Sequence, residues 1–155
     1  MKKILFVCLG NICRSPLAEG VFLRLMEERK VQEQFEIDSA GMLNCHIGNL
    51  PDGRMRHHAK KRGYELVHHA RQVTSSDFEE FDLIVGMDDC NIDALKELAP
   101  TLEDMKKIVR MTDFCKHSDI DHVPDPYYGG TGGFEQVIDI VEDACEGLIS
   151  SIQDN

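Results

Sequence analysis

The segment from residue 3 to residue 16 most constrains the fold, because it joins an apolar strand to a helix. Residues 3–7 form a short apolar run rich in β-forming side chains, as in a central parallel strand. Pro16 fits the first position of a helix and Ser15 fits its cap, since proline costs nothing where the amide hydrogen has no partner. A strand, loop and helix in this order turn backbone amides inward at the positive end of the helix dipole, which suits a tetrahedral oxyanion. The segment therefore predicts a phosphate-binding loop.

Two side chains of this loop, Cys8 and Arg14, indicate an active site with the spacing Cys-x5-Arg. The loop amides would stabilise a Cys8 thiolate, and the planar fork of Arg14 can hold two equatorial phosphoryl oxygens. The spacing alone is a weak signal, because a buried cysteine near a surface arginine is a common alternative. It gains weight from neighbours typical of a strand-to-helix loop, namely Gly10, Asn11, Ser15 and Pro16.

The remaining chain alternates between predicted strands and helices. Strands are predicted at 35–40, 82–86 and 107–111, and helices at 16–29, 54–62, 88–99 and 134–149. Residues 74–77 supply capping residues for a short helical turn. This alternation predicts an α/β fold, a three-layer α/β/α domain with a four-stranded parallel sheet of order 2-1-3-4. The predicted order places the loop after Cys8 at the switch point of the sheet, where ligands bind.

A second unusual segment, residues 123–130, follows the last predicted strand. Two prolines flank Asp125 and hold it in a fixed, extended backbone. The segment leaves the carboxyl end of a strand, so it can close over the phosphate-binding loop and present an acid to the group that departs from phosphorus. The alternative is that Asp125 only shapes a turn, a common role of an aspartate before proline.

Length, charge and cysteine usage bear on the domain count, the partners and the location. A chain of 155 residues suits one domain, residues 1–155. A formal charge of −11 argues against nucleic acid and acidic membranes as partners, since both require a basic surface, and the basic run 54–62 reads as a solvated helix face.

The apolar run 4–9 is too short for a signal peptide or a membrane span. Six cysteines without C-x-x-C spacing indicate reduced thiols rather than a disulfide framework or a zinc site. A cytoplasmic location is therefore expected.

Histidine spacing does not predict a metal site. The seven histidines are scattered or stand in adjacent pairs, and neighbouring residues point apart on a helix. No metal and no cofactor are therefore expected.

These motifs resemble those of the low-molecular-weight protein tyrosine phosphatase family. The resemblance covers nearly the whole chain and is carried by 7–16 and 125–129, with support from 70–74 and from Phe134-Glu135. It implies the family's Rossmann-like phosphatase fold and hydrolysis of phosphotyrosine in proteins. It also implies binding of phosphate-like anions and a monomer or weak homodimer.

The resemblance implies a role for each residue of the loop. Cys8 would attack phosphorus as a thiolate and form a phosphocysteine intermediate. Asp125 would protonate the leaving phenolate and then deprotonate the water that hydrolyses the intermediate. Arg14 would hold the phosphoryl oxygens together with the backbone of Leu9, Gly10, Asn11, Ile12 and Cys13.

By the same resemblance, residues around the loop would support it. Ser15 would hydrogen-bond Cys8 and favour its thiolate form. Asn11 would keep the loop in a strained shape, supported by His68 and Ser39. Cys13 would form a reversible disulfide with Cys8 that protects the nucleophile from irreversible oxidation, whereas the alternative for Cys13 is a small buried side chain.

The rim of the site bears on substrate choice. Tyr127 and Tyr128 can flank a phenyl ring, which favours phosphotyrosine over the shorter phosphoserine. In the family, Ile12 distinguishes tyrosine phosphatases from relatives with threonine that act on phosphoarginine. Many relatives carry an aromatic side chain where this chain has Cys45, so one wall of the entrance is smaller unless another loop residue fills the gap.

Three other functions compete with this prediction. An arsenate reductase shares the fold and the Cys-x5-Arg loop, but it needs a relay of further cysteines, and Cys90 and Cys115 are isolated. A phosphocysteine carrier would need no acid such as Asp125. A non-catalytic phosphate-binding module would not need Cys8 and Arg14 together.

Overall fold

The computed structural model describes residues 1–128 and 131–153, with Tyr128, Thr131 and Gly132 described by their backbone alone. Strands and helices alternate along the described chain. The strands are β1 Lys2–Cys8, β2 Phe35–Gly41, β3 Leu83–Gly86 and β4 Ile108–Arg110. The helices are α1 Arg14–Arg29, α2 Gly53–Lys61, α3 Asp77–Glu80, α4 Asp89–Leu98, α5 Leu102–Met105 and α6 Thr131–Gln153. Short 3₁₀ turns occur at Gln32–Gln34, Met111–Phe114 and Pro126–Tyr128.

The four strands of the described chain form one parallel sheet in the order β2-β1-β3-β4, which confirms the predicted order 2-1-3-4. Strand β1 pairs with β2 on one side and with β3 on the other. The loop that follows Cys8 therefore leaves the sheet where the strand order reverses. Such a switch point opens a crevice at the carboxyl ends of the strands.

Helices cover both faces of the sheet, which explains why β1 is apolar throughout rather than alternating. Ile4 and Phe6 belong to the cluster that includes α1 and α6, whereas Leu5 and Val7 belong to the cluster on the other face with Phe78 and other buried residues. All four β1 side chains are fully buried. In the described part of the chain, no helix is both long enough and apolar enough to cross a membrane.

Helix α1 begins earlier than predicted, so the expected capping role of Ser15 is wrong. The residue at the cap position is Cys13, whose side chain makes no capping hydrogen bond. Pro16 still fits, because the first four amides of a helix have no acceptor within it and the first such bond runs from Leu17 N to Cys13 O at 3.2 Å. The Ser15 side chain is fully buried and turns toward the loop instead.

Gly147 lets α6 pack directly against the turn Met111–Phe114. A β-carbon at this position would lie 1.8 Å from the carbonyl oxygen of Phe114. We expect Gly147→Ala to lower the free energy of unfolding by about 2–3 kcal/mol, measured by urea denaturation, because this overpacking outweighs the better helix propensity of alanine. Gly133→Ala is the control in the same helix, since among the described residues its β-carbon would meet Pro126 at ordinary distances of 3.8 Å and more. Equal stability of the two variants would contradict the packing described.

Candidate active site

The predicted nucleophile, arginine and acid line one cavity at the carboxyl end of the sheet. Cys8, Arg14 and Asp125 all contribute to its wall. The wall also includes Leu9, Gly10, Ile12, Cys13, Leu43, Cys45, His46 and Tyr127. Asp125, which is far from Cys8 and Arg14 in the sequence, thus faces the same space as those two residues.

The Cys8 sulfur hydrogen-bonds the Ser15 hydroxyl at the base of the cavity. Cys8 ends β1 with 2% of its surface exposed, and its Sγ lies 3.0 Å from Ser15 Oγ. The same hydroxyl oxygen accepts a bond from Asn11 Nδ2 at 2.8 Å. The Ser15 proton therefore points to one of its two remaining neighbours, and Cys8 Sγ is closer than Ala40 O at 3.5 Å. A hydroxyl that donates to sulfur stabilises the thiolate.

Asn11 occupies the left-handed backbone region, with φ of 58°, which is unusual for a residue other than glycine. Its buried amide makes four hydrogen bonds. The amide nitrogen donates to Ser15 Oγ and, at 3.0 Å, to Ser39 Oγ. The amide oxygen accepts from Arg71 N and from His68 Nε2, both at 3.0 Å. These bonds hold the loop in a conformation that the backbone alone would not favour.

A polar cluster behind Asn11 consists of Glu19, Asp38 and His68. One side-chain oxygen or nitrogen atom of each residue lies within 4.8 Å of those of the other two. His68 Nδ1 lies 3.3 Å from Glu19 Oε1, and Ser39 Oγ donates to that same oxygen at 2.7 Å. Burial raises the pKa of Glu19 to about 7, and burial lowers the pKa of His68. A neutral His68 that donates from Nε2 to Asn11 can accept a hydrogen bond at Nδ1 from the protonated carboxyl group of Glu19, so the cluster orients Asn11.

The donor types in this cluster would also suit a metal ion, which the histidine spacing did not predict. However, each carboxylate already has a partner within the protein. Arg71 NH2 binds Asp38 Oδ2 at 3.0 Å, and Glu19 accepts from Ser39. The contacts described are those of an internal hydrogen-bond network.

Arg14 lies under the cavity with 2% of its surface exposed. NH1 donates to Asp88 Oδ2 at 2.6 Å and to Val123 O at 3.0 Å, and NH2 lies 3.4 Å from Asp125 Oδ2. Burial opposes the charge, but Cys8 and the two carboxylates outweigh it and raise the pKa of Arg14. Arg14 Nε is buried and has no hydrogen-bond partner within the described residues. The guanidinium therefore stays charged and retains a donor for a ligand.

Asp88 is a site residue that sequence reasoning missed, because it was assigned only to the start of a helix. Its Oδ1 caps α4 by accepting from Asn91 N at 2.8 Å, and its Oδ2 binds Arg14. A usable signal was present. Asp88 follows β3, whose carboxyl end lies beside that of β1 in the predicted strand order.

Asp125 both shapes a turn and faces the cavity, so the two alternatives drawn from the sequence are compatible. Oδ1 accepts from Tyr127 N at 3.1 Å, which closes the turn Pro126–Tyr128. Oδ2 points to Arg14 at 3.4 Å. The turn thus fixes one carboxylate oxygen and presents the other to the site.

The rim contains Tyr127, Cys45 and a residue that was not predicted, His46. The His46 and Tyr127 rings lie 6.0 Å apart between centroids, at 56°. Cys45 is exposed on the same wall. The His46 imidazole thus lies at the same rim as the small Cys45. The side chain of Tyr128, also predicted for the rim, lies outside the described part of the structure.

The fold and the site together define a class of protein. A parallel sheet with a cysteine and arginine loop at its switch point, faced by a carboxylate, is the arrangement of a cysteine-dependent phosphatase.

Comparison with known proteins identifies the family within this class. The family model described as low molecular weight phosphotyrosine protein phosphatase matches residues 3–155. The chain therefore belongs to this family. As the resemblance predicted, it is a protein tyrosine phosphatase, and the arsenate reductase alternative is not favoured.

Individual relatives agree with this assignment. The low molecular weight protein-tyrosine-phosphatase YfkJ of Bacillus subtilis is 41% identical over 99% of this chain and 97% of its own length. The low molecular weight phosphotyrosine protein phosphatase of Gallus gallus is 40% identical over 96% of this chain and 94% of its own. A solved structure of a protein tyrosine phosphatase from Entamoeba histolytica, with Hepes in the active site, has a TM-score of 0.96 and 47% identity, covering 99% of this chain and 98% of that one.

Proposed function

We propose that the chain hydrolyses phosphotyrosine in proteins in two steps, with Cys8 as nucleophile, Arg14 as oxyanion ligand and Asp125 as acid and base. The observation that carries the proposal is that these three side chains line one cavity. The related Entamoeba enzyme supports the anion assignment, because Hepes, the compound in its active site, bears a sulfonate group.

In the first step, the Cys8 thiolate attacks phosphorus. The sulfur–phosphorus bond forms as the bond from phosphorus to the tyrosyl oxygen breaks, and Asp125 gives its proton to that oxygen. Charge on the equatorial oxygens is held by the loop amides and by Arg14, whose buried Nε has no protein partner within the described residues. The Ser15 hydroxyl stabilises the sulfur when it leaves again.

In the second step, water hydrolyses the phosphocysteine. Asp125, now a carboxylate, takes a proton from the water as the new oxygen–phosphorus bond forms and the sulfur–phosphorus bond breaks. The products are inorganic phosphate and the Cys8 thiolate. Neither step uses a metal ion, because Arg14 and the loop amides stabilise the charge on the phosphoryl oxygens.

The rim supports an aryl phosphate as substrate. Tyr127 and His46 offer ring surfaces at the entrance, and Leu43 adds an apolar side chain that is 45% exposed. A phenyl ring can pack between such groups, whereas phosphoserine is too short to reach both the rim and the loop. Ile12 on the cavity wall is an apolar residue, consistent with a phenyl ring and not with a phosphorylated guanidine.

Replacing the acid tests the first step. We expect Asp125→Asn to lower kcat/KM for phenyl phosphate by roughly 10²–10³-fold, because asparagine cannot give up a proton to a poor leaving group. The loss should be small for dinitrophenyl phosphate, whose leaving group needs no proton. Steady-state assays with both esters measure the contrast. An equal loss for both would argue against Asp125 as the general acid.

Three finer predictions from the sequence stay predictions. Cys13 is buried, and burial, helped by Asp52 and Cys8, raises the pKa of its thiol, so it would react with an oxidised Cys8 only slowly. Mass spectrometry of the protein after peroxide treatment would detect a disulfide between Cys8 and Cys13.

The other two predictions concern location and assembly. Cell fractionation tests the predicted cytoplasmic location. Light scattering tests whether the protein is a monomer or a weak homodimer.

A further inference from the structure

The turn that carries Asp125 is attached to the protein at both ends. On one side, Val123 N donates to Met87 O at 2.8 Å, and Val123 O accepts from Arg14. On the other side, Tyr127 O accepts a hydrogen bond from Arg54 NH2 at 3.0 Å. Among the described residues, the Asp125 carboxylate itself has the long contact of 3.4 Å to Arg14 and the bond within its own turn, and no other contact. The position of the acid therefore depends on these two anchors.

Arg54 also binds the element that supports the phosphate-binding loop. Its Nε and NH2 bind the two carboxylate oxygens of Asp52 at 3.1 and 3.0 Å. The backbone amide of Asp52 in turn donates to Ile12 O, within the phosphate-binding loop, at 2.7 Å. A continuous path of hydrogen bonds thus runs from the loop of Cys8, through Asp52 and Arg54, to the turn of Asp125.

Aromatic contacts fix the guanidinium in this path. Arg54 Cζ lies 5.5 Å from the centroid of the Tyr127 ring and 5.0 Å from that of the Phe134 ring. Phe134 is fully buried at the start of α6, so it offers a rigid surface. A planar fork that binds a carboxylate with two nitrogens and stacks on rings is a geometry that lysine cannot reproduce.

We propose that Arg54 is a positioning residue that clamps the Asp125 turn to the phosphate-binding loop. This inference rests on the proposed role of Asp125 as general acid. Arg54 is not among the described residues that line the cavity, so it acts through the turn and not on the reacting atoms. It sets where the acid stands relative to the leaving group. The sequence reading of 54–62 as a solvated helix face therefore misses the function of its first residue.

The test compares Arg54→Ala with Lys60→Ala, a control on the same helix whose side chain is exposed and has no ion pair within the described residues. For Arg54→Ala, kcat/KM for phenyl phosphate should fall about tenfold, because a displaced acid transfers its proton less well. The values for dinitrophenyl phosphate and the inhibition constant of inorganic phosphate should change less than twofold. Lys60→Ala should match the unmodified protein for all three.

If Arg54 had a purely structural role, Arg54→Ala would lower kcat/KM equally for both esters, or would lower only the unfolding midpoint. Either result would overturn the proposal. Arg54→Lys should resemble Arg54→Ala, and full activity of the lysine variant would refute the need for the fork. In the double variant Arg54→Ala with Asp125→Asn, no loss beyond that of Asp125→Asn is expected, since both changes act on one proton transfer. If Asp125→Asn alone shows no dependence on the leaving group, the role of Asp125 as general acid fails and the clamp fails with it. If Asp125→Asn shows that dependence and Arg54→Ala does not, only the clamp fails.

Discussion

Cys8→Ser is expected to reduce hydrolysis of an aryl phosphate by roughly 10⁵-fold or more, the scale seen when a catalytic nucleophile is removed. The reason is that a serine hydroxyl remains protonated at neutral pH and is a far weaker nucleophile than sulfur. Serine is nearly the size of cysteine, so the fully packed end of β1 should be unaffected. Steady-state assays with p-nitrophenyl phosphate measure the loss.

The control for this prediction is phosphate binding by the same variant. Arg14 and the loop amides stay in place, so Cys8→Ser should bind inorganic phosphate and keep its unfolding midpoint. Loss of both activity and the folded state would show only that Cys8 is structural. Substantial remaining activity would remove Cys8 from the chemistry.

Arg14→Lys is expected to lower kcat by about 10³-fold, because lysine keeps the charge but cannot hold two equatorial oxygens with a planar fork. It also cannot bind Asp88 and Val123 O while donating to a ligand, as the three nitrogens of Arg14 are arranged to do. Arg14→Ala should in addition destabilise the protein by about 3 kcal/mol, since Asp88 loses its buried partner.

Arg24→Lys is the matched control for this pair of variants. Arg24 lies on the same helix, and its exposed side chain binds Glu28 and the carbonyl of Arg62 away from the cavity. Its activity should stay within twofold of the unmodified protein. If Arg14→Lys were equally active, the guanidinium fork would have no special part in catalysis.

The sheet was predictable from the sequence because its signals are strong and mutually consistent. Buried parallel strands read as continuous apolar runs, and alternation with helices leaves few strand orders. The four-residue helix α5 was not predicted, because so short a segment has no apolar period. Its visible signal is Thr101, whose hydroxyl caps it by accepting from Asp104 N at 3.1 Å.

The site was predictable only in part, because sequence shows residue types and spacing but not which loops meet. Three site residues belong to sequence motifs that can be recognised by residue type and spacing, namely Cys8, Arg14 and Asp125. Asp88 looks like an ordinary helix cap, and its second oxygen gains a role only when β3 lies beside β1.

Other site contacts also depend on tertiary structure. Ser15 fits a cap by type, yet its hydroxyl is used by Cys8 and Asn11. In the sequence, Arg54 is one of several basic residues in 54–62. Its contact with the turn of Asp125 depends on how α2 packs against that turn.

If Cys8 is the nucleophile, its sulfur forms a covalent bond to phosphorus during turnover, and rapid denaturing quenching at neutral to mildly alkaline pH, where such a bond survives, can trap it. Digestion and mass spectrometry of the quenched protein should find a phosphoryl group on the peptide that contains Cys8, at a level that falls when substrate is exhausted. Steady turnover with no phosphoryl group on Cys8, or with one on another residue, would exclude Cys8 as the nucleophile.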